Sequence, residues 1–325
     1  MKSLRGLCVV AAAVIALGAG AAALAQAWPT RPVTVVSPFV SGTTFDLVAQ
    51  IVLGPVGQQL GQPFAFENRT GDDGTVGVQS VVKANPDGQT LLLSTSAMSA
   101  AVILHKSLPY DTQHDLEPVA MFGGEPAMLL GAPNKGYNTV TDLVAAAKAK
   151  PGQLQFASVG VGSASYLAGE RFRLAAGLDV RHVPYPGPAQ ALADLNAGRV
   201  DFYFIPVLPA LPLITEGKAL ALAVSTSHRL QSLSGLPTLD EAGYPIGPYL
   251  DWCGLSAPMN TPRDIVDKLN AAIARTLNLP AVRAKLLRVG FEPGPMSPVQ
   301  FAAFFSNDVA AMIKLAKDAH IEPIK

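Results

Sequence analysis

Short runs of apolar and β-branched residues alternate with helical patterns from Val33 almost to the C-terminus, and this alternation predicts an α/β fold with mostly parallel sheets flanked by helices. Two of the strand–helix junctions share one design, in which a strand empties into a Gly/Ser/Thr-rich turn that opens a helix. No low-complexity linker and no short-period repeat breaks the pattern, so a domain boundary is a place where the chain crosses between lobes and not a flexible tether.

The first 27 residues stand apart from the fold. Lys2 and Arg5 give a basic start, Leu7 to Leu24 is apolar and rich in Ala and Gly, and Ala25-Gln26-Ala27 puts small residues at a cleavage position. That is the pattern of an export signal cut after Ala27. The apolar run approaches the length of a membrane span, but its Ala and Gly content and small-residue exit suit cleavage better than anchoring. Cys8 precedes the apolar run and therefore is not a lipid-attachment cysteine.

Val33–Ser37 is the first predicted strand, a β-branched run after Pro32. Val40 to Asp46 is its hydroxyl-rich turn, and a helical pattern follows at once. Further strands are predicted over Phe64–Glu67, Thr90–Ser94, Glu117–Phe122, Ala127–Ala132, Leu154–Ser158, Arg181–Pro184, Asp201–Ile205 and Leu220–Ser225. A helix follows the turn after Ser158 and runs to about Gly177. Pro188 suits the first turn of a helix that stops at Gly198. Thr261-Pro262-Arg263-Asp264 starts another, with Ile265, Val266, Leu269, Ile273 and Leu277 on one face.

The two like turns carry the functional expectation. Phe39, Val40, Ser41, Gly42, Thr43 and Thr44 form the first, with Asp46 at its helix start. Ser158, Val159, Gly160, Gly162, Ser163, Ala164 and Ser165 form the second. Such a junction points unpaired backbone N–H groups and a helix N-terminus at one spot, which suits an anion. Neither turn contains Lys or Arg, so a carboxylate there is held by N–H groups, hydroxyls and helix dipoles. Ser94, Thr95 and Ser96, after the third strand, are expected to add a further wall. Gly160-x-Gly162-x-x-Ser165, with Asp179 about 20 residues on, has the outline of a dinucleotide fingerprint. It lacks the third glycine and lies far from the N-terminus, so no cofactor is expected.

Other classes are argued against by composition. The chain holds 24 Lys and Arg against 24 Asp and Glu; loss of Lys2 and Arg5 leaves the mature protein at about −2, with no bias toward nucleic acid or anionic membrane. Only Cys253 survives cleavage, so no internal disulfide forms. His105, His114, His182, His228 and His320 share no metal-ligand spacing, and no Gly-x-Ser-x-Gly elbow seats a nucleophile. His182 is expected to make a structural hydrogen bond. An exported binding protein is expected, not an enzyme.

A dozen short tags, in order along the mature chain, resemble the periplasmic substrate-binding receptors of tripartite tricarboxylate transporters, the Bug family. They include Trp28-Pro29-x-Arg31-Pro32-Val33, Glu67-Asn68-Arg69-x-Gly71, Pro86-Asp87-Gly88, Leu108-Pro109-Tyr110-Asp111, Lys150-Pro151-Gly152, His182-Val183-Pro184-Tyr185, Pro237-Thr238-x-x-Glu241-Ala242-Gly243 and Thr261-Pro262-Arg263. The resemblance implies a two-lobed Venus-flytrap fold joined by crossing hinge strands. On this reading residues 28–130 with 254–325 form one lobe and 131–253 the other. It also implies a periplasmic protein that captures a small carboxylate and hands it to the membrane subunits of a transporter; a monomer is expected, and the alternative readings are a receptor that reports to a sensor kinase and an exported α/β enzyme. This chain departs from the family pattern in three places. Ser41-Gly42-Thr43 stands for Pro-Gly-Gly, Gly162-Ser163-Ala164-Ser165-Tyr166-Leu167 for Gly-Thr-x-x-His-Leu, and Ile205-Pro206 where an acidic residue is frequent. With Ile205 in that place the cleft is expected to lack a partner for an ammonium group, and the ligand to be a di- or tricarboxylate or an aromatic carboxylate.

Overall fold

The computed structural model describes residues 28–247 and 249–324. The export signal and its cleavage site lie outside these residues. Among the described residues no helix is long and apolar enough to cross a membrane.

In chain order the elements are β1 (Val33–Ser37), α1 (Thr44–Leu60), β2 (Phe64–Asn68), α2 (Thr75–Val82), β3 (Thr90–Thr95), α3 (Ala97–Leu104), β4 (Leu116–Gly131), α4 (Val140–Ala149), β5 (Gln155–Ser158), α5 (Ala164–Ala176), β6 (Arg181–Pro184), α6 (Pro188–Asn196), β7 (Phe202–Pro206), α7 (Val207–Thr215), β8 (Leu220–Val224), β9 (Leu250–Pro258), α8 (Arg263–Leu277), α9 (Pro280–Arg288), β10 (Glu292–Pro293) and α10 (Pro298–Ala319). A 3-10 turn, Asp72–Gly74, precedes α2. The strands follow the order β2-β1-β3-β9-β4-β7-β5-β6, with β8 and β10 also on β4.

The two ends of this arrangement are parallel: β1 pairs with β2 and β3, and β5 with β6 and β7. The centre is antiparallel, because β9 runs between β3 and β4 and β4 also pairs antiparallel with β7, β8 and β10. The sheet is therefore mixed, whereas alternation alone predicts mostly parallel strands. The central strands split their side chains between two cores, in keeping with period-2 geometry. Val33, Val35, Leu91 and Leu93 pack with Val52, Val266 and Leu269 of α1 and α8, while Val36 and Leu92 face Trp252, Phe301 and Phe305. In the second lobe Phe202 and Phe204 pack with Phe156 and Phe172, and Tyr203 and Ile205 with Met128 and Ala191.

The predicted strands Glu117–Phe122 and Ala127–Ala132 are one strand, β4. Gly123-Gly124 reads as a break, but its purpose is contact. Gly123 sits at φ +141°, and a Cβ there would lie 2.0 Å from the Glu292 carbonyl oxygen of β10. The glycine admits a neighbouring backbone without ending the strand. β4 pairs with β9 as far as Pro126 and with β7 and β8 from Ala127, so its partner changes ahead of the 130/131 boundary expected from sequence. β9 lies among first-lobe strands from Leu250 onward, ahead of the expected 253/254. The last helix belongs to both cores: Phe301, Phe305 and Val309 pack beside Trp252, and Met312 and Leu315 join the cluster around Phe156 and Phe172.

Candidate ligand-binding cleft

The first turn is built around Asp46. Its buried carboxylate accepts hydrogen bonds from Ser37 Oγ (2.7 Å), the Gly42 N–H (2.9 Å) and Asn68 Nδ2 (3.3 Å). Asn68 Nδ2 also donates to the Phe39 carbonyl at 3.0 Å. Thr43 caps α1, accepting from the Asp46 N–H at 3.2 Å. Asp46 thus ties β1, β2 and the start of α1 together. A buried carboxyl group that accepts from three donors holds the shape of the turn.

The second turn repeats the cap with other partners. Ser163 Oγ accepts from the Tyr166 N–H (3.2 Å) and donates to the Gly160 carbonyl (2.6 Å). Ser165 Oγ accepts from the Val159 N–H (3.1 Å). Ser158 is fully buried, takes the Gly160 N–H at 3.0 Å and shares a 2.6 Å hydrogen bond with His182 Nε2. His182 therefore has a hydrogen-bonding role within its lobe, and burial holds its imidazole below the ordinary value. Gly162, at φ +85°, lies so close to α3 of the other lobe that a Cβ would meet Leu104 Cδ1 at 2.5 Å.

Both turns line one cleft between the lobes. Its outer chamber, about 520 Å³, is bordered by Phe39, Val40 and Thr43 of the first turn and by Val161, Gly162 and Ser163 of the second. An inner chamber of about 220 Å³ adds Phe45, Thr95, Ser96, Ala164, Tyr249 and Asp251. A small recess behind it is bordered by Glu125, Ser165, Ile205 and Pro206. Among the described residues no Lys or Arg borders any of the three. The first turns of α1 and α5 have N–H groups without intrahelical acceptors, so each lobe offers partial positive charge here.

Of the residues expected from sequence, Phe39, Val40, Thr43, Thr95, Ser96, Gly162, Ser163, Ala164, Ser165 and Ile205 border the cleft. Ser41, Gly42, Thr44, Asp46, Ser94, Ser158, Val159 and Gly160 do not. Gly42 and Gly160 shape their turns with φ of +93° and +116°. Ser94 is spent inside the sheet, its Oγ 3.0 Å from Ser256 Oγ across the β3–β9 pair.

Glu125 and Asp251 escape the sequence reading. They stand opposite each other in the β4–β9 register, and Ser96 Oγ donates to Asp251 Oδ1. Burial, then the Asp251 charge, pushes Glu125 up to about 7, against the Thr44 hydrogen bond. Burial also raises Asp251, partly offset by Ser96. Arg171 packs on Tyr249, its guanidinium 5.1 Å from the ring centroid and 3.9 Å from Asp308. The cleft does contain carboxyl groups beside Ile205, which the sequence reading did not foresee. Cys253, farther along β9, is fully buried, and desolvation holds its thiol well above the usual range. Among the described residues no group of three or more His, Cys, Asp or Glu could hold a metal.

Residues 48–320 match the sequence pattern described as "Tripartite tricarboxylate transporter family receptor". Protein BugT of Bordetella pertussis is 32% identical over 311 residues, 95% of each chain. Among solved structures, Rpa4515 of R. palustris with adipate is 34% identical with a TM-score of 0.75, covering 91% of this chain and 100% of that one. MatC (Rpa3494) from Rhodopseudomonas palustris with bound malate is 32% identical with a TM-score of 0.69, covering 89% and 99%.

Proposed function

Because the chain belongs to the tripartite tricarboxylate transporter receptor family, a family of solute-binding receptors and not of enzymes, we propose that it captures a small carboxylate in the interlobe cleft and presents it to the membrane subunits of such a transporter. The observation that carries this reading is the convergence of two capped helix N-termini, one from each lobe, on a single cleft that no Lys or Arg among the described residues borders. Backbone N–H groups in a water-poor cleft hold an anion without a counter-charge, because the low local dielectric strengthens each bond. Neighbours solved with adipate and malate support a dicarboxylate. A ligand touching both turns favours the arrangement in which the lobes are together, the form a membrane partner would read. The hinge on this reading is the partner switch of β4 at Pro126/Ala127 and the entry into β9 at Leu250.

Glu125 and Asp251 favour a second reading, a carboxylate that also carries an amino group, since an ammonium would neutralise that buried pair. A thermal-shift screen of the protein beginning at Trp28 decides between them. A ligand at 100 times its dissociation constant stabilises the fold by about 2.7 kcal/mol. Succinate, adipate, citrate and terephthalate are to be run beside aspartate and glutamate, with sugars and amines as controls. Stabilisation by sugars or amines and by no carboxylate would defeat both readings. Pull-down from membranes should recover the transporter's subunits; recovery of a sensor kinase in their place would reassign the readout. N-terminal sequencing of exported protein should begin at Trp28.

A further inference from the structure

A second cavity lies between the lobes, across the hinge strand from the ligand cleft. β9 and β10 both pair with Gly123 and Gly124 of β4, so they flank it on opposite edges; β7 and β8 do the same from Met128 to Gly131. The recess behind the cleft is bordered by Ile205 of β7 and Asp251 of β9. A groove of about 570 Å³ is bordered instead by Glu292 of β10 and by residues 228–232, just after β8. Pro126, at the partner switch of β4, borders both.

Both lobes wall this groove. Leu208 and Leu211 of α7 and Leu230 form one side, Arg283 and Leu287 of α9 the other. The lobes touch at its edge, where a Cβ on Gly290 would lie 2.8 Å from Leu208 Cβ. Its chemistry reverses that of the cleft, because arginines border an apolar surface. Arg229 is held by Glu241 (2.8 Å) and the Ser234 carbonyl (3.0 Å). Arg283 is partly buried, and among the described residues its side chain has no hydrogen-bond or ion-pair partner; Glu292, which also borders the groove, does not pair with it. A guanidinium drawn out of water beside leucines, without a counter-charge, is unfavourable until an anion meets it.

We propose that this groove is a second ligand site, for a small amphipathic anion whose carboxylate or sulfonate meets Arg283 and whose apolar body lies on the leucines of both lobes. Its volume falls in the range of about 300–1,000 Å³ that such ligands occupy. The site does not depend on what the cleft binds. Its effect follows from the hinge read above. Here the lobes are together on the cleft side, where a Cβ on Gly162 would meet Leu104 at 2.5 Å, and parting them there narrows the groove. An occupant at the present spacing therefore holds the lobes together and favours the ligand-capturing form.

The probe is 8-anilinonaphthalene-1-sulfonate, an aromatic body with one sulfonate, followed by its fluorescence on the folded protein beginning at Trp28. Wild type and Ser163→Asp, which puts a charge in the cleft, should bind it alike. Arg283→Ala should weaken it about tenfold and Arg283→Lys less, as for one charged hydrogen bond. Leu208→Asp should abolish it, and melting curves establish that each variant is folded. With the probe bound, hydrogen exchange should slow in α9 and in residues 228–232 together, and also where Gly162 meets Leu104. Binding lost in Ser163→Asp but kept in Arg283→Ala would put the probe in the cleft and overturn the site, as would a wild type that binds none. Slowing on one wall alone, or none at Gly162 and Leu104, would overturn the hold on both lobes. None of these results touches the carboxylate reading, which the screen of the cleft decides.

Discussion

Asp46, inside the first turn, and Glu125, at the cleft, are two acidic side chains in contrasting settings, and the difference is their donors. Asp46 accepts from Ser37, Gly42 and Asn68. Asp46→Ala strands these donors in a buried place, so a loss of about 2–4 kcal/mol in urea unfolding is expected, along with a loosened turn. Glu125 has burial and a like charge against it, and is pushed up from 4.5 to about 7. Between those values the folded protein holds a proton that the unfolded chain has released, so this group's contribution to stability is complete below about pH 4.5 and is lost as the pH rises to about 7. The loss is at most about 3 kcal/mol. Glu125→Gln removes it, so urea unfolding should find the variant gaining on the wild type between pH 5 and pH 8. Parallel stability curves would place Glu125 in a wetter, better-paired setting than the one described. Gly162→Ala is expected to weaken ligand binding as well as stability, because its φ of +85° and its contact with Leu104 both resist a Cβ.

The turns are the elements that a sequence declares most openly. Thr43 and Ser163 cap helices, and Gly42, Gly160 and Gly162 take positive φ, all local chemistry legible without a fold. Ser163→Asp tests the element directly. Aspartate is a preferred N-cap, so the helix should persist with a melting temperature within a few degrees of wild type, while the added charge abolishes carboxylate binding by calorimetry. Unchanged affinity would remove the second turn from the site. β9 was not legible: Leu250-Asp251-Trp252-Cys253-Gly254 has no β-branched residue and holds two poor strand formers, and it becomes a strand because β3 and β4 flank it. Glu125 and Asp251 meet only through that antiparallel register, a long-range relation that no local spacing encodes. The face of α3 that borders the cleft, with Ala97, Ala100 and Ala101, was missed for another reason. Alanines at helical spacing read as ordinary core until the second lobe is placed over them.

At the scale of the molecule, two α/β lobes are joined by one long strand that changes partners at Pro126/Ala127 and by a last helix that seals both cores. Strand–helix alternation revealed the class of fold; the antiparallel centre was not legible, since the strand that creates it was unread. The two turns lie 121 positions apart when Ser163 is counted from Gly42, and only the joined lobes bring them to the same cleft. That convergence is the central claim. A crystal structure with the best carboxylate from the screen tests it most directly. The account predicts one ligand carboxylate within hydrogen-bond distance of first-turn N–H groups of α1 and α5 at once, with no Lys or Arg in contact. A ligand held by one lobe alone, or seated away from both turns, would contradict it.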